Sequence, residues 1–368
     1  MQKPVPRIVG RAAQSNPPSR FDNIVLEDEP LALYPDLQEG SDRQGPDSSA
    51  WSRKVATKYI RDESKTIISE NTSPDLNFRY SLNPYRGCAH GCSYCYARTY
   101  HEYLGYSAGT DFESTILYKP DAASLFRQWL DRKRYQCEPV NFSGATDCYQ
   151  PVEREYQLTR QCLQVALRCR QPVTIVTKNA LVLRDLDLLV RLAELRLVHV
   201  NISITSLDQS LIALMEPRTS CPATRLKAIR VLSENHIPVR ALLSPVIPGL
   251  TDSELPKLIQ AASDAGAQSA GSTVVRLPGN VERVFFEWLQ ATLPQKQNII
   301  TSRIRQIRNG DLHDSQFGTR MSGTGEMARQ IRNTFQVFAR KYGLDNDLPP
   351  LETQIFVRPG DQQQKRLF

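Results

Sequence analysis

Three of the eight cysteines fall within one octapeptide, Cys88-Ala-His-Gly-Cys92-Ser-Tyr-Cys95. Three thiolates this close can grip a single metal centre from one loop, which removes most of the ordering cost of gathering ligands from distant segments. Structural zinc usually takes four protein ligands in two separated pairs, and the chain has no second C-x-x-C or H-x-x-x-H pair, so His90 or His101 would have to complete a zinc site. A cubane iron–sulfur cluster suits three cysteines better when one iron is to stay open to a substrate, because a cluster built only for electron transfer normally takes four. Cys137, Cys148, Cys162, Cys169 and Cys221 are scattered. Of these, Cys162 and Cys169 stand at i and i+7 on one helix face, the spacing of small buried residues.

Composition sets the frame for that loop. At 368 residues, 40% hydrophobic and 8% aromatic, the chain can bury a sizeable core, which excludes wholesale disorder. Its 46 Lys+Arg against 39 Asp+Glu leave a formal charge of +7, which permits a polyanionic partner without requiring one. No apolar run approaches the ~18 residues that span a bilayer. MQKPVPRIVGRAAQSNPPSR lacks the apolar core of a secretory signal. No membrane association and a cytoplasmic location are therefore expected, a compartment where cysteines stay reduced and available for metal or redox chemistry.

The elements that must position the loop follow from texture and period. Residues 1–70, rich in Pro, Ser, Asp and Arg, read as an extended, partly disordered N-terminal arm in which Ile24–Leu33 is apolar enough to dock on the body. Residues 71–295 read as the core and 296–368 as a C-terminal helical extension and tail. Strands are predicted at Ser114–Tyr118, Pro139–Phe142, Val173–Thr177, Val198–Thr205, Val239–Leu243 and Thr273–Leu277. Helices are predicted at Ala122–Lys133, Gln157–Cys169, Leu186–Leu195, Thr224–Asn235, Asp252–Ala265 and Val281–Leu293, then at Ile299–Arg308 and Met327–Tyr342 around a turn-rich loop, Asn309–Gly325. Six strands alternating with helices imply parallel pairing with right-handed crossovers, in an open doubly wound sheet or a partial barrel. No G-x-G-x-x-G follows the first strand and no G-x-x-x-x-G-K-[ST] occurs, which argues against dinucleotide and P-loop assignments.

C-x-x-x-C-x-aromatic-C ahead of such an alternation, with Tyr94 in the aromatic position, resembles the radical S-adenosylmethionine (SAM) superfamily. NPYRGCAHGCSYCYAR, SGATDCYQPVE, TIVTKNALVLRDLDLL and VNISITSLD are similar to its spore photoproduct lyase-like branch, from about Ser81 to Leu277. The resemblance implies an α/β fold, a partial (β/α)6 TIM-like barrel. It implies a [4Fe-4S] cluster on Cys88, Cys92 and Cys95, with S-adenosyl-L-methionine on the fourth iron. An electron from a flavodoxin- or ferredoxin-type donor would then cleave SAM to methionine and a 5′-deoxyadenosyl radical that abstracts hydrogen from substrate.

In a barrel of parallel strands, functional side chains gather at the C-terminal strand ends. Thr146 and then Asp147 resemble the residues that meet the SAM amino end, Lys178 and Ser203 those that meet its carboxylate. Arg240 opens the fifth strand ahead of Ser244–Gly249, a segment similar to the one near the ribose and adenine, and joins the cofactor-binding set. Tyr85, Arg86, Tyr94, Tyr96, Arg98 and Tyr100 interleave aromatic and basic residues around the loop, a pattern that stacks single-stranded nucleic acid or shields a cluster from water. The lyase carries a hydrogen-donating cysteine shortly before the Ser/Thr aligned with Thr146. Gly144 or Ala145 stands there in this chain, so thymine-dimer repair does not transfer, and Cys148 is the one nearby thiol with a catalytic question attached. Glu153 is expected to cap a helix. A nucleic-acid base leads as substrate, a protein or peptide substrate follows, and a non-catalytic iron–sulfur or zinc module is the rival from another class.

Overall fold

The computed structural model describes residues 8–21 and 53–364. Six parallel strands cross its main sheet in chain order: β1 Tyr80–Leu82, β2 Val140–Phe142, β3 Val173–Thr177, β4 Val198–Ser203, β5 Val239–Val246 and β6 Ser269–Val274. Ile68–Glu70 adds an antiparallel edge to β1. The order never reverses, so there is no switch point of the kind that defines a doubly wound sheet. Each crossover returns to the neighbouring position, which is the winding of an open barrel segment.

The crossovers carry α1 Ala122–Leu130, α2 Leu158–Cys169, α3 Leu186–Glu194, α4 Pro222–Glu234 and α5 Leu255–Asp264. Beyond β6 come α6 Asn280–Thr292, α7 Gln297–Gln306 and α8 Gly325–Lys341. All eight helices expected from periodicity are present, their ends shifted by at most three residues. In α2 the stripe Leu158, Cys162, Leu163, Val165, Ala166 and Cys169 is buried. Each fully buried aliphatic chain of that kind contributes roughly 2 kcal/mol. The helix stops at Arg170, which takes φ +51°. Leu82, Phe142, Val173, Ile175, Val200 and Ile202 from the sheet share one core with Phe126, Leu163, Leu189 and Leu232 of the helices.

Strand membership departs from the sequence reading at both edges. Thr115–Tyr118 is a strand, but it pairs with Lys58–Arg61 and Tyr85–Arg86 in a separate three-stranded sheet. The first barrel strand is Tyr80–Leu82, too short to show an alternation and placed by its pairing with Val140–Phe142. At the other edge β6 is Ser269–Val274 rather than Thr273–Leu277. Its small residues carry weak strand propensity, and pairing along Arg240–Leu243 sets its register.

Residues 10–21 lie on the body with Ala12 and Ala13 buried, whereas Ile24–Leu33 falls outside the described residues. A second apolar cluster joins Val281, Phe285, Trp288 and Leu289 of α6 to Cys92 and Tyr94, which seats the cysteine loop. Among the described residues no helix is long and apolar enough to cross a membrane.

Candidate functional site

The cysteine loop leaves the C-terminal end of β1 and is tied down along its length. Gly87 and Gly91 take φ +74° and +67°, and a Cβ on Gly87 would meet the Thr115 carbonyl oxygen at 2.7 Å. The Cys88 N–H donates to the Phe112 carbonyl at 2.9 Å and the Ser93 N–H to the Met215 carbonyl at 3.0 Å. Gln150 accepts from the Ala89 N–H at 2.9 Å and donates to the Gly87 carbonyl at 3.2 Å. Arg98 spends all five of its donors here. Nε and Nη2 reach the Cys92 carbonyl at 3.1 and 2.8 Å, Nη1 reaches the Ala108 and Gly109 carbonyls at 3.0 Å each, and Nη2 also meets Glu113 at 2.5 Å. Arg98 is thus a buried strut of the loop and has no donor left for a nucleic acid.

Cys88 and Cys92 are buried, and the half-buried Cys95 packs against the clusters that hold each of them. Burial pushes the Cys92 and Cys95 thiols up; for Cys88 the same burial is outweighed by His90, and its thiol sits below the ordinary range. The thiols are gathered in one loop but, among the described residues, are not drawn into a closed ligand shell. One observation fits a cluster better than a His90-completed zinc site: His90 is engaged elsewhere, with Nδ1 3.3 Å from Asp147 and Nε2 3.3 Å from the Asn179 amide. The His101 ring packs on Tyr106 and Phe112, and its two nitrogens are buried without a hydrogen-bond partner among the described residues. The buried Ser93 hydroxyl, inside the loop, has no partner among the described residues.

Around the loop the C-terminal strand ends supply a charged rim. Asp147, five residues past β2, accepts from Thr177 Oγ1 at 2.7 Å, from the Lys178 N–H at 2.8 Å and from the Tyr149 N–H at 2.8 Å. Burial alone would raise its carboxyl; His90 and these donors hold it at about 2, and the same contact lifts His90 to about 9 against burial. The Lys178 ammonium stands 5.7 Å over the Tyr94 ring, and Glu216 and Cys92 keep it charged despite burial. Tyr94 donates its hydroxyl to Glu216, which also accepts from Thr205 Oγ1 at 2.6 Å and pairs with Arg225. Thr146 donates to the Tyr85 carbonyl at 3.2 Å, and Ser203 to the Ser244 carbonyl at 3.0 Å.

The structure therefore brings Tyr94, Asp147 and Lys178 to the cysteine loop, with Thr146 and Ser203 on neighbouring strand ends. Two candidates lie elsewhere. Arg240 sits near the start of β5, bonded to Ser269 Oγ at 3.1 Å and to Asp347 at 3.2 Å, because parallel register sends a strand's first residues to the opposite end from its last. Cys148 is fully buried in the main core, its carbonyl accepting from Thr159 at 2.6 Å and its thiol pushed well up by burial. Glu216 was missed. A lone acid between Met215 and Pro217 has no spacing signal, and only the fold sets it beside Lys178. Glu153 caps α2, accepting from the Thr159 and Arg160 N–H groups at 3.1 and 3.3 Å.

An uncharacterised protein of Mycobacterium tuberculosis is 34% identical over 234 residues, which are 63% of this chain and 68% of that one. Residues 82–262 match the sequence profile of the Radical SAM superfamily. This chain belongs to that superfamily. The radical SAM protein is also 31% identical over 197 residues to an uncharacterised protein of Methanocaldococcus jannaschii, covering 54% of this chain and 71% of the relative. Among solved structures, a spore photoproduct lyase mutant with bound AdoMet and dinucleoside spore photoproduct superposes with a TM-score of 0.53 at 16% identity, covering 83% of this chain and 85% of the lyase. At that identity the likeness to the lyase is one of fold.

Proposed function

We propose that this chain is a radical SAM enzyme that holds a [4Fe-4S] cluster on Cys88, Cys92 and Cys95, binds SAM across the ends of β2 to β4, and abstracts hydrogen from a nucleic-acid base. The observation that carries the reading is the three-thiol loop seated at the C-terminal strand ends beside Lys178. When bound, the cluster would supply the electron that cleaves the SAM sulfonium, and the resulting 5′-deoxyadenosyl radical would take hydrogen from substrate.

The chain's own residues do the rest. Among the described residues Lys178 makes no direct ion pair, so its ammonium is available to a carboxylate, with Ser203 on the adjacent strand end. Thr146 and Asp147 would meet the amino end, Asp147 being held ionised by His90 and able to favour a cation. Tyr94 touches both charges, its ring 5.7 Å from the Lys178 ammonium and its hydroxyl donating to Glu216. Cys148 is withdrawn as hydrogen donor because the core encloses it. The reductant is of the flavodoxin or ferredoxin type, and the reaction takes place in the cytoplasm.

For the substrate class, the support is an exposed aromatic pair at the rim, Tyr96 and Tyr100, set edge to face at 6.4 Å. Arg276, whose charge both tyrosines feel, adds a cation to it, while Arg320, 4.4 Å over the exposed Phe317 ring, is already paired with Asp75. Aromatic faces alternating with fixed cations stack and neutralise single-stranded nucleic acid.

Anaerobic reconstitution with iron and sulfide tests the enzyme class. Uptake of about four irons per chain and reductive release of 5′-deoxyadenosine are expected; stoichiometric zinc with no cleavage would sink it. Lys178→Ala is expected to weaken SAM binding by about tenfold to a hundredfold, the worth of one charge-assisted hydrogen bond, with the cluster intact. Unchanged SAM affinity, by titration of the reconstituted protein, shows the carboxylate assignment to be wrong. Oligonucleotide binding should fall steeply with added salt, and no binding at low salt ends the nucleic-acid proposal.

A further inference from the structure

The profile match begins at residue 82, yet a segment some seventy residues upstream touches the cysteine loop directly. Gly10-Arg11-Ala12-Ala13 turns three consecutive backbone N–H groups onto the Glu113 carboxylate: Arg11, Ala12 at 3.3 Å to Oε2, and Ala13 at 2.9 Å to Oε1. That carboxylate is fully buried and pairs with the equally buried Arg98 at 2.5 Å. A buried ion pair is tolerated only when further hydrogen bonds satisfy its remaining lone pairs, and the segment supplies them. Arg98 in turn holds the Cys92 carbonyl through two donors.

The fit leaves no slack. A Cβ on Gly10 would meet Glu113 Oε2 at 2.6 Å, and a Cβ on Gly91, between Cys88 and Cys92, would meet the Arg11 Cβ at 2.8 Å. Farther along, Ser15 donates to Glu287 of α6 at 2.5 Å and Asn280 donates to the Pro18 carbonyl at 2.9 Å, so the segment straps the loop to the helix behind it.

We propose that residues 10–20 are a latch of the cysteine loop, with Glu113 and Arg98 as positioning residues that transmit its closure to Cys92. The donors of the latch reach Glu113, Glu113 orients Arg98, and Arg98 sets where the Cys92 backbone sits. Groups that orient metal ligands from outside the ligand set typically change metal retention by about 10 to 100-fold when removed. The inference rests on the proposed metal-binding role of the three thiols.

Full-length Gly10→Val and Glu113→Gln, reconstituted with iron and sulfide beside the wild type, test it. Both are expected to lose the cluster's visible absorbance to excess EDTA at least about tenfold faster than wild type. The EPR signal of the reduced cluster should shift in g values, a change that general loss of stability does not produce, and trypsin should gain access to Arg11. If both variants keep the wild-type release rate and EPR spectrum, the latch is overturned, whatever trypsin shows. Should Gly10→Val fail to fold, Gly10→Ala meets the same oxygen with one carbon and carries the same readouts. A wild type that takes up no iron defeats the cluster reading alone. The latch is then read from zinc release by the same chelator, where equal rates for wild type and variants overturn it.

Discussion

Cys92→Ala is expected to abolish iron retention and SAM cleavage while leaving a folded barrel. The backbone of Cys92 is held by Arg98 through its carbonyl, and the thiol is a small group within an apolar cluster that includes Tyr94 and Phe285. Alanine therefore keeps the loop's path and removes one of three ligands, which a tridentate centre cannot replace from the scattered cysteines. Cys162→Ala is the matched comparison: it too is buried, but in the main core under α2, and should cost about 1 kcal/mol of stability with iron uptake unchanged. Iron per chain, 5′-deoxyadenosine formation and circular dichroism on the pair decide it. A Cys92→Ala protein that retains four irons, or a Cys162→Ala protein that loses them, defeats the assignment.

The second large effect belongs to Glu216. Its carboxylate accepts from Thr205 and Tyr94 and pairs with Arg225, both partners fully buried. Glu216→Ala strands a buried guanidinium and should cost about 3 to 5 kcal/mol in urea unfolding. Burial alone would raise this carboxyl, but Arg225 and then Lys178 outweigh it and hold it at about 2, against 4.5 for an ordinary glutamate. The depressed value fixes the sign. The stabilisation is fully present above about 4.5 and drains away as pH falls toward 2, a loss of about 3 kcal/mol across that window. Glu216→Gln keeps an acceptor for Thr205 and loses the titration, so its stability should be flatter than wild type between those values. Equal slopes in urea midpoints against pH would show that Glu216 is not the group responsible.

These two sites mark the division between what is local and what is not. The spacing of Cys88, Cys92 and Cys95 and the aromatic at Tyr94 are contiguous, so the three-thiol loop was legible from the chain. So were the helices, because an apolar stripe such as Leu158, Cys162, Ala166 and Cys169 repeats within a few turns and needs no distant partner to be visible. The placement of Lys178 and Asp147 at one rim was legible for a related reason: each follows a strand strong enough to read, and parallel winding sends all such ends to the same side.

What failed had no local signature. Tyr80–Leu82 is too short to carry an alternation, and it is a barrel strand only because Val140–Phe142 pairs with it. Arg240 precedes a suggestive loop in sequence, yet the register of β5 sets it at the end of the strand opposite the cysteine loop. Arg98 belongs by sequence to an aromatic and basic stretch that could stack nucleic acid or shield a cluster, and only the fold turns its five donors inward. By itself the sequence determined the family, the three-thiol loop, the eight helices and the central strands, since these depend on residue type and short-range period. Only the tertiary structure decided that Glu216 charges the rim, that Cys148 is sealed in the core, and that Gly10–Ala13 closes on Glu113. Burial and long-range hydrogen bonding join residues that nothing in their spacing connects.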